Sequence, residues 1–327
     1  MKQNILYNHQ KTVIVFYYMP LLCLLTKERN TSMIAPHFNS SSKSNQIIIT
    51  LDQITGPVQI PMTNDYLFRA LLQKNNHVLK GLICSLLHLK PEEVISVTIL
   101  NPIVLGDYID NKDFVLDIRC LLNDNTIINL EMQVVNQHNW PERSLSYLCR
   151  SFDNLQSGDD YIHVKTAIQI GILDFTLFPD APELYATYMM TNIRNHQIYS
   201  SKLRLSVLDL THIDLATKED RLFHIDYWAS LFKATTWEEI KMLAQKDSMI
   251  KEASDTILQL SQDEQIRQRC EARADYLFWQ RVEEEYKKEL EEKYQKVLSE
   301  KQQLEKENIE NRARIKELES QLAINNS

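Results

Sequence analysis

The spacing of apolar residues changes along this chain, and each change marks a different kind of element. After Met62 the apolar positions Leu67, Phe68, Leu71, Leu72, Val78, Leu79, Leu82, Ile83, Leu86 and Leu87 recur at helical spacing. Asn64 or Asp65, just ahead of them, fits a helix N-cap; the other reading of Asp65 is an additional acid near a functional site. The pattern then becomes that of strands: one over 95–104, two inside 114–133, one within 161–178, and two over 184–194 and 203–210. The segment within 161–178 is apolar on both faces, which predicts a central strand, and the whole set predicts a mixed sheet. From Lys218 helical spacing returns through "EDRLFHIDYWASLFKA" and "TWEEIKMLAQK" to a helix starting near Ser248, with Trp228, Leu231, Phe232, Trp237, Ile240 and Leu243 as core.

The last change is to a heptad. Residues 280–322 hold no Gly or Pro, and Leu290, Val297, Leu304, Asn311 and Leu318 fall on one seam position, with Tyr294, Lys301, Asn308, Ile315 and Leu322 on the other. That predicts a coiled coil and a homo-oligomer, the alternative being a single solvated helix. The chain therefore divides into an N-terminal extension (1–60), disordered or misassigned, an α/β core with flanking helices (61–215), a helical subdomain (216–279) and a coiled-coil tail (280–327).

Two strand positions break the apolar pattern. In "FVLDIRCLLNDNTIINLEMQ" Asp117 sits between Leu116 and Ile118, and Glu131 between Leu130 and Met132. A carboxylate among core residues is costly to desolvate, so it needs a partner, a metal or a chemical role. Alternation puts Asn129, Glu131, Gln133 and Val135 on one face, Glu131 and Gln133 about 7 Å apart. The "NDNT" between the strands has hairpin turn chemistry, which can bring Asp117 beside Glu131, although the register is not fixed by sequence. Hard oxygen ligands of this kind suit Mg2+, with Mn2+ as a substitute; Asp117 and Glu131 would be the metal ligands, with the Met132 carbonyl a further one. In a metal-dependent phosphodiesterase layout of this kind, Gln133 would orient the attacking water or a phosphate oxygen.

The segment "PERSLSYLCRSFDNLQSG" reads as a helix with Pro141 early, Leu145, Leu148, Phe152 and Leu155 as its buried stripe, and Gly158 as its C-terminal cap. Arg143, Tyr147 and Arg150 share another side, where the guanidinium groups would grip DNA phosphates or pair with nearby acids.

Composition narrows the partners. A net charge of −8 repels nucleic acid overall, so any nucleic-acid contact must come from a local basic face or through metal ions. With 5 glycines the chain has no phosphate-cradling loop motif, and its 5 scattered cysteines read as reduced, buried thiols of a cytoplasmic protein. His212 and His224 lack zinc-type spacing and read as structural. The apolar run at 12–25, broken by Pro20, is too short to span a bilayer, and "TKERNTS" behind it offers no cleavage site; a start at Met33 is the preferred explanation, and no stable membrane association is expected.

The motifs "TNDYLFRALL", "KDFVLDIRC", "INLEMQV", "RSLSYLCRSFDNLQSGDDY" and "WASLFKATTWEEIKMLA" resemble the Rpn family of recombination-promoting nucleases, also described as transposases and similar to the PD-(D/E)XK nuclease superfamily. The resemblance spans residues 61–281. It implies a restriction-endonuclease-like core, Mg2+-dependent endonucleolytic cleavage of DNA, and a role in recombination or DNA mobility, with the catalytic acids on Asp117 and Glu131. The superfamily's lysine falls on Gln133, a neutral residue, so the missing positive charge is expected from Lys112 or Lys165. The rival reading is an inactive, oligomeric interaction protein that keeps the nuclease fold.

Overall fold

The computed structural model describes residues 49–101 and 118–325. The N-terminal extension up to residue 48 and the stretch 102–117, which holds Lys112 and Asp117, lie outside the described residues.

The predicted first helix is two: α1, Asp65–Lys74, and α2, Asn76–Leu86. Asn75 divides them because its side chain accepts from the backbone N–H of His77 and Val78, capping the second helix while closing the first. Asn64, not Asp65, caps α1, accepting from the Leu67 N–H. Both helices bury long apolar stripes, and Arg69, also buried, donates to the Asn101 carbonyl.

The strands follow: β1 Val97–Ile99, β2 Ile118–Leu122, β3 Thr126–Gln133, then helix α3 Trp140–Phe152, β4 Thr166–Leu173, β5 Tyr185–Tyr188 and β6 Leu203–Asp209. They form one six-stranded mixed sheet in the order β1-β2-β3-β4-β6-β5. As the apolar pattern of 161–178 predicted, β4 is central; it runs parallel to β3 and β6, and only its first residue is not buried. The β2–β3 hairpin turns through Asn123 and Asp124 with φ of 48° and 56°, the paired left-handed conformation of a tight hairpin turn that Asn and Asp tolerate best.

Helix α3 lies on one face of the sheet, over β3, β4 and β6. Its buried stripe is Trp140, Ser144, Leu148 and Ser151; of the predicted stripe Leu148 is buried as expected, while Leu145 is 52 % exposed. The small serines let the helix sit close to the strands. Gly171 on β4 does the same from the other side, for the Trp140 indole lies where its Cβ would be. The helix ends at Phe152 with Asp153 as its cap, short of Gly158, which takes φ 96° in a later turn.

The opposite face is covered by α1 and α2 and by a helical group: α4 Lys218–Leu222, α5 Ile225–Lys233, α6 Trp237–Ala244 and α7 Ser248–Gln262. A 62-residue helix, α8 Glu264–Asn325, completes the chain. Its first turns bury Ile266, Cys270, Arg273 and Leu277 beside α1, and the heptad seam beyond, from Leu290 to Leu318, is exposed. No helix among the described residues is long and apolar enough to cross a membrane.

Candidate active site at the carboxyl end of β3

The strand β3 carries Asn129, Glu131 and Gln133 on the face that α3 covers. Asn129 is buried and bonds across the sheet to Gln169 Oε1 at 2.9 Å. Glu131, next along, stands opposite Gly171 on β4. The absent Cβ of Gly171 admits the Trp140 indole, and that ring seats the first turn of α3 so that Arg143 reaches Glu131. Arg143 Nη2 lies 2.6 Å from Glu131 Oε1, the carboxylate side chain being 6 % exposed and the guanidinium side chain 35 %. A charge-assisted contact of this length is what makes a carboxylate at that depth tolerable.

Past Glu131 the sheet opens on a polar cavity of about 220 Å³, whose lining includes Asp65, Gln133, Gln137, Arg143, Arg273 and Tyr276. Gln133 donates its side-chain N–H to the Val135 carbonyl at 3.1 Å, which leaves Oε1 as its remaining acceptor. Across the cavity, Asp65 accepts from Arg273 Nε at 2.8 and 2.9 Å and from Nη2 at 2.5 Å, a two-pronged pair with both residues buried. The same guanidinium lies 4.7 Å from the Tyr276 ring centre. Beside it, burial, with the Asp65 and Glu271 charges adding to it, pushes the Cys270 thiol up to about 12, so this thiol stays protonated and is no nucleophile at neutral pH.

The structure thus brings together Glu131, Gln133, Arg143 and Asp65. It does not bring Lys165 to them: its Nζ donates to the Asp124 carbonyl at 2.6 Å in the β2–β3 turn, at the far end of β3 and about 23 Å away along the strand. The positive charge at Glu131 comes from Arg143 instead. Arg150 lies further along α3, exposed, 5.9 Å from the Tyr147 ring that Arg143 approaches at 5.5 Å from its other neighbour position. Asp117 and Lys112 are outside the described residues.

Arg273, Tyr276, Gln280 and Gln137 were not foreseen. A signal for Arg273 exists: Ile266, Cys270, Arg273 and Leu277 follow one another at helical spacing, so the arginine occupies a core position as the strand acids do. The expected structural histidines are held locally, His212 Nε2 2.9 Å from Thr176 Oγ1 and His224 Nδ1 3.0 Å from Asp247. Of the described cysteines, Cys149 departs from expectation by being exposed. It lines a larger apolar cavity of about 360 Å³ between α3 and β6 that contains no carboxylate, lysine, arginine or histidine, so the acid–base chemistry lies elsewhere.

The residues present fit a hard divalent ion. Among the described residues no cluster of three or more His, Cys, Asp or Glu could hold a metal, but Mg2+ needs only one or two carboxylates plus carbonyl and water oxygens. Glu131 would supply one carboxylate. The Gln133 carbonyl accepts from Asp174 N–H on the β4 side at 3.0 Å, so strand alternation turns the Met132 carbonyl toward the β2 side.

A mixed sheet flanked by helices, with an acid and a Glu-x-Gln strand end at a polar cavity, defines an α/β fold consistent with the PD-(D/E)XK nuclease class. The family described as PD-(D/E)XK nuclease family transposase matches residues 62–287, and the chain belongs to it. No characterised protein and no solved structure matches the chain closely enough to be set beside it.

Proposed function

We propose that this chain is a cytoplasmic Mg2+-dependent DNA endonuclease, acting in recombination or DNA mobility, with Asp117 and Glu131 as metal ligands and Gln133 orienting the attacking water. The observation that carries the reading is Glu131, a carboxylate with only 6 % of its side chain exposed near the carboxyl end of β3, next to the polar cavity that Gln133 and Arg143 line. Two carboxylates, from Asp117 and Glu131, with the Met132 carbonyl would form a donor set of the kind Mg2+ takes, and Mn2+ can replace it.

A bound divalent ion would supply an acidified water and offset charge on the phosphate. The chain's own groups do the rest. Gln133 Oε1 would accept a hydrogen bond from the water and so hold its lone pair toward phosphorus. Arg143 takes the electrostatic role of the lysine that Gln133 replaces, and Arg150, further along α3, holds a neighbouring phosphate of the DNA backbone. Asp65, tied by Arg273, shapes the cavity wall and is not a ligand. Self-association through the exposed α8 seam would hold two such sites in one particle.

The test is plasmid nicking by purified protein with Mg2+, Mn2+ or EDTA, compared with Asp117→Ala and Glu131→Gln. Cleavage that depends on the ion and is lost in both variants is expected. Nicking that survives chelation and both substitutions would overturn the assignment and leave the inactive, oligomeric reading.

A further inference from the structure

We infer that Arg143 is a two-position switch on Glu131: its guanidinium holds the carboxylate when the divalent ion is absent and passes to a DNA phosphate when the ion is bound. This rests on the nuclease reading above and adds to it an order of events, ion before phosphate.

Three features carry it. First, the arginine occupies the cation's place. Its Nη2 is 2.6 Å from Glu131 Oε1, and it lies on the solvent side, with 35 % of its side chain exposed against 6 % for the glutamate. An ion entering from the cavity meets the guanidinium before the carboxylate, and the two cations compete for one oxygen. Second, the arginine is only partly used. Arg143 Nε is buried and finds no hydrogen-bond partner among the described residues, so the pair with Glu131 leaves donors of the planar fork unspent. A phosphate, which accepts from two guanidinium N–H groups at once, satisfies that fork better than the single carboxylate contact seen here. Third, there is somewhere to go. Arg143 itself lines the 220 Å³ polar cavity, and Tyr147, one turn along α3, offers a ring face 5.5 Å from its guanidinium carbon.

The neutral Gln133 makes such a switch useful. A lysine on that strand would be covalently fixed beside the ion; an arginine from a neighbouring helix can give up Glu131 and still reach the scissile phosphate. Arg273 provides the internal contrast, since its fork is filled by three contacts to Asp65 and it has no reason to move.

The experiment measures Mn2+ binding to the full chain without DNA, by electron paramagnetic resonance of free Mn2+ at one fixed pH. Arg143→Met, which keeps the aliphatic stem against Tyr147, is expected to bind Mn2+ about tenfold more tightly than the wild type while cleaving DNA at least tenfold more slowly. Equal or weaker Mn2+ binding in the variant overturns the switch. Failure of the nuclease reading looks different: neither protein then binds Mn2+ saturably, and Glu131→Gln changes nothing. A measurement on the unmodified sequence guards against a misfolded variant. In the wild type, adding Mg2+ should shift the Arg143 Nε–H resonance, assigned by its loss in Arg143→Lys, and leave that of Arg273 in place; an Arg143 signal that ignores saturating Mg2+ refutes the proposal.

Discussion

Gly171→Ala adds a methyl group where the packing leaves no room for one, and the cost can be worked from the packing of α3. A Cβ built on Gly171 falls 2.1 Å from Trp140 Cζ2 and 2.9 Å from both Cε2 and Cη2. Ordinary carbon contacts begin near 3.5 Å, so the ring must retreat by about 1.4 Å. It has little room, being 2 % exposed and packed with Leu173 and Val207. Overpacking a rigid ring costs about 3 kcal/mol, and alanine returns about 0.7 kcal/mol by restricting the unfolded chain, for a net loss of about 2 kcal/mol. For a chain of this size that is a fall in Tm of about 3 °C. The site should suffer beyond the stability loss, because Trp140 opens the helix that carries Arg143 and Gly171 is the neighbour of Glu131 across the sheet. Misplacement by about 1 Å can cost up to 100-fold in rate, so nicking well below the melting range should fall by about 10- to 100-fold. The check is a double-mutant cycle in urea with Trp140→Phe, which removes the atoms that clash. In that background Gly171→Ala should cost less by at least about 1 kcal/mol. An equal cost in both backgrounds, or a melting point within 1 °C of wild type (about 0.7 kcal/mol), refutes the account.

Other consequences can be read from the same contacts. Arg273→Leu strips a buried carboxylate of its partner and should destabilise by about 3–5 kcal/mol in urea unfolding, with Asp65→Asn added to it recovering part of the loss. Glu252 is held below the usual carboxylate value of 4.5 by hydrogen bonds from Asn75 and then His77, so its contribution is present above that pH and is lost as pH falls through the lower folded value; the Tm gap between wild type and Glu252→Ala should close over that acid range. With self-association through the α8 seam as proposed, Leu290→Asp with Leu304→Asp should lower the sedimenting mass to that of one chain without changing the far-ultraviolet spectrum of the core, since both side chains are exposed in the single chain.

The sheet was legible because its signals are local. Asn123 and Asp124 announce the hairpin by tolerating left-handed backbone, and the two-faced apolar run around Ile168 and Ile170 announces a central strand. What failed to show was where helices dock. The leucines of α3 look like its buried face, yet Ser144 and Ser151 are buried and Leu145 is not, because close approach to a glycine-bearing strand selects small residues. The break at Asn75 was hidden by apolar spacing that continues through it. At the site, Glu131 and Gln133 were legible from alternation alone. Their cationic companion was sought at Lys165, but a lysine at the start of β4 is a whole strand length from the end of β3, a fact only the parallel register supplies. Arg273 was passed over because it belongs to a helix distant in sequence, whose polar composition draws attention to its exposed seam.

Charge at the cavity ties these pieces to DNA handling by an acidic chain. Asp65 and Glu131 are each matched by one arginine, so this set of side chains is neutral before any ion arrives. Adding Asp117, as proposed, makes it negative by one charge and repels phosphate; a divalent ion then makes it positive by one and attracts it. The wild type should therefore bind duplex DNA poorly in EDTA and at least tenfold better with Ca2+, which satisfies oxygen ligands while supporting little cleavage. Glu131→Gln removes a negative charge and releases Arg143 together, so it should bind the same duplex in EDTA at least tenfold more tightly than the wild type does, as read by fluorescence anisotropy at fixed ionic strength. Arg150→Ala should weaken binding in every condition alike, since it lies outside this balance. If Glu131→Gln in EDTA binds no better than the wild type, then Arg143 is not freed by losing its carboxylate, and the positive charge that meets the phosphate must come from another residue.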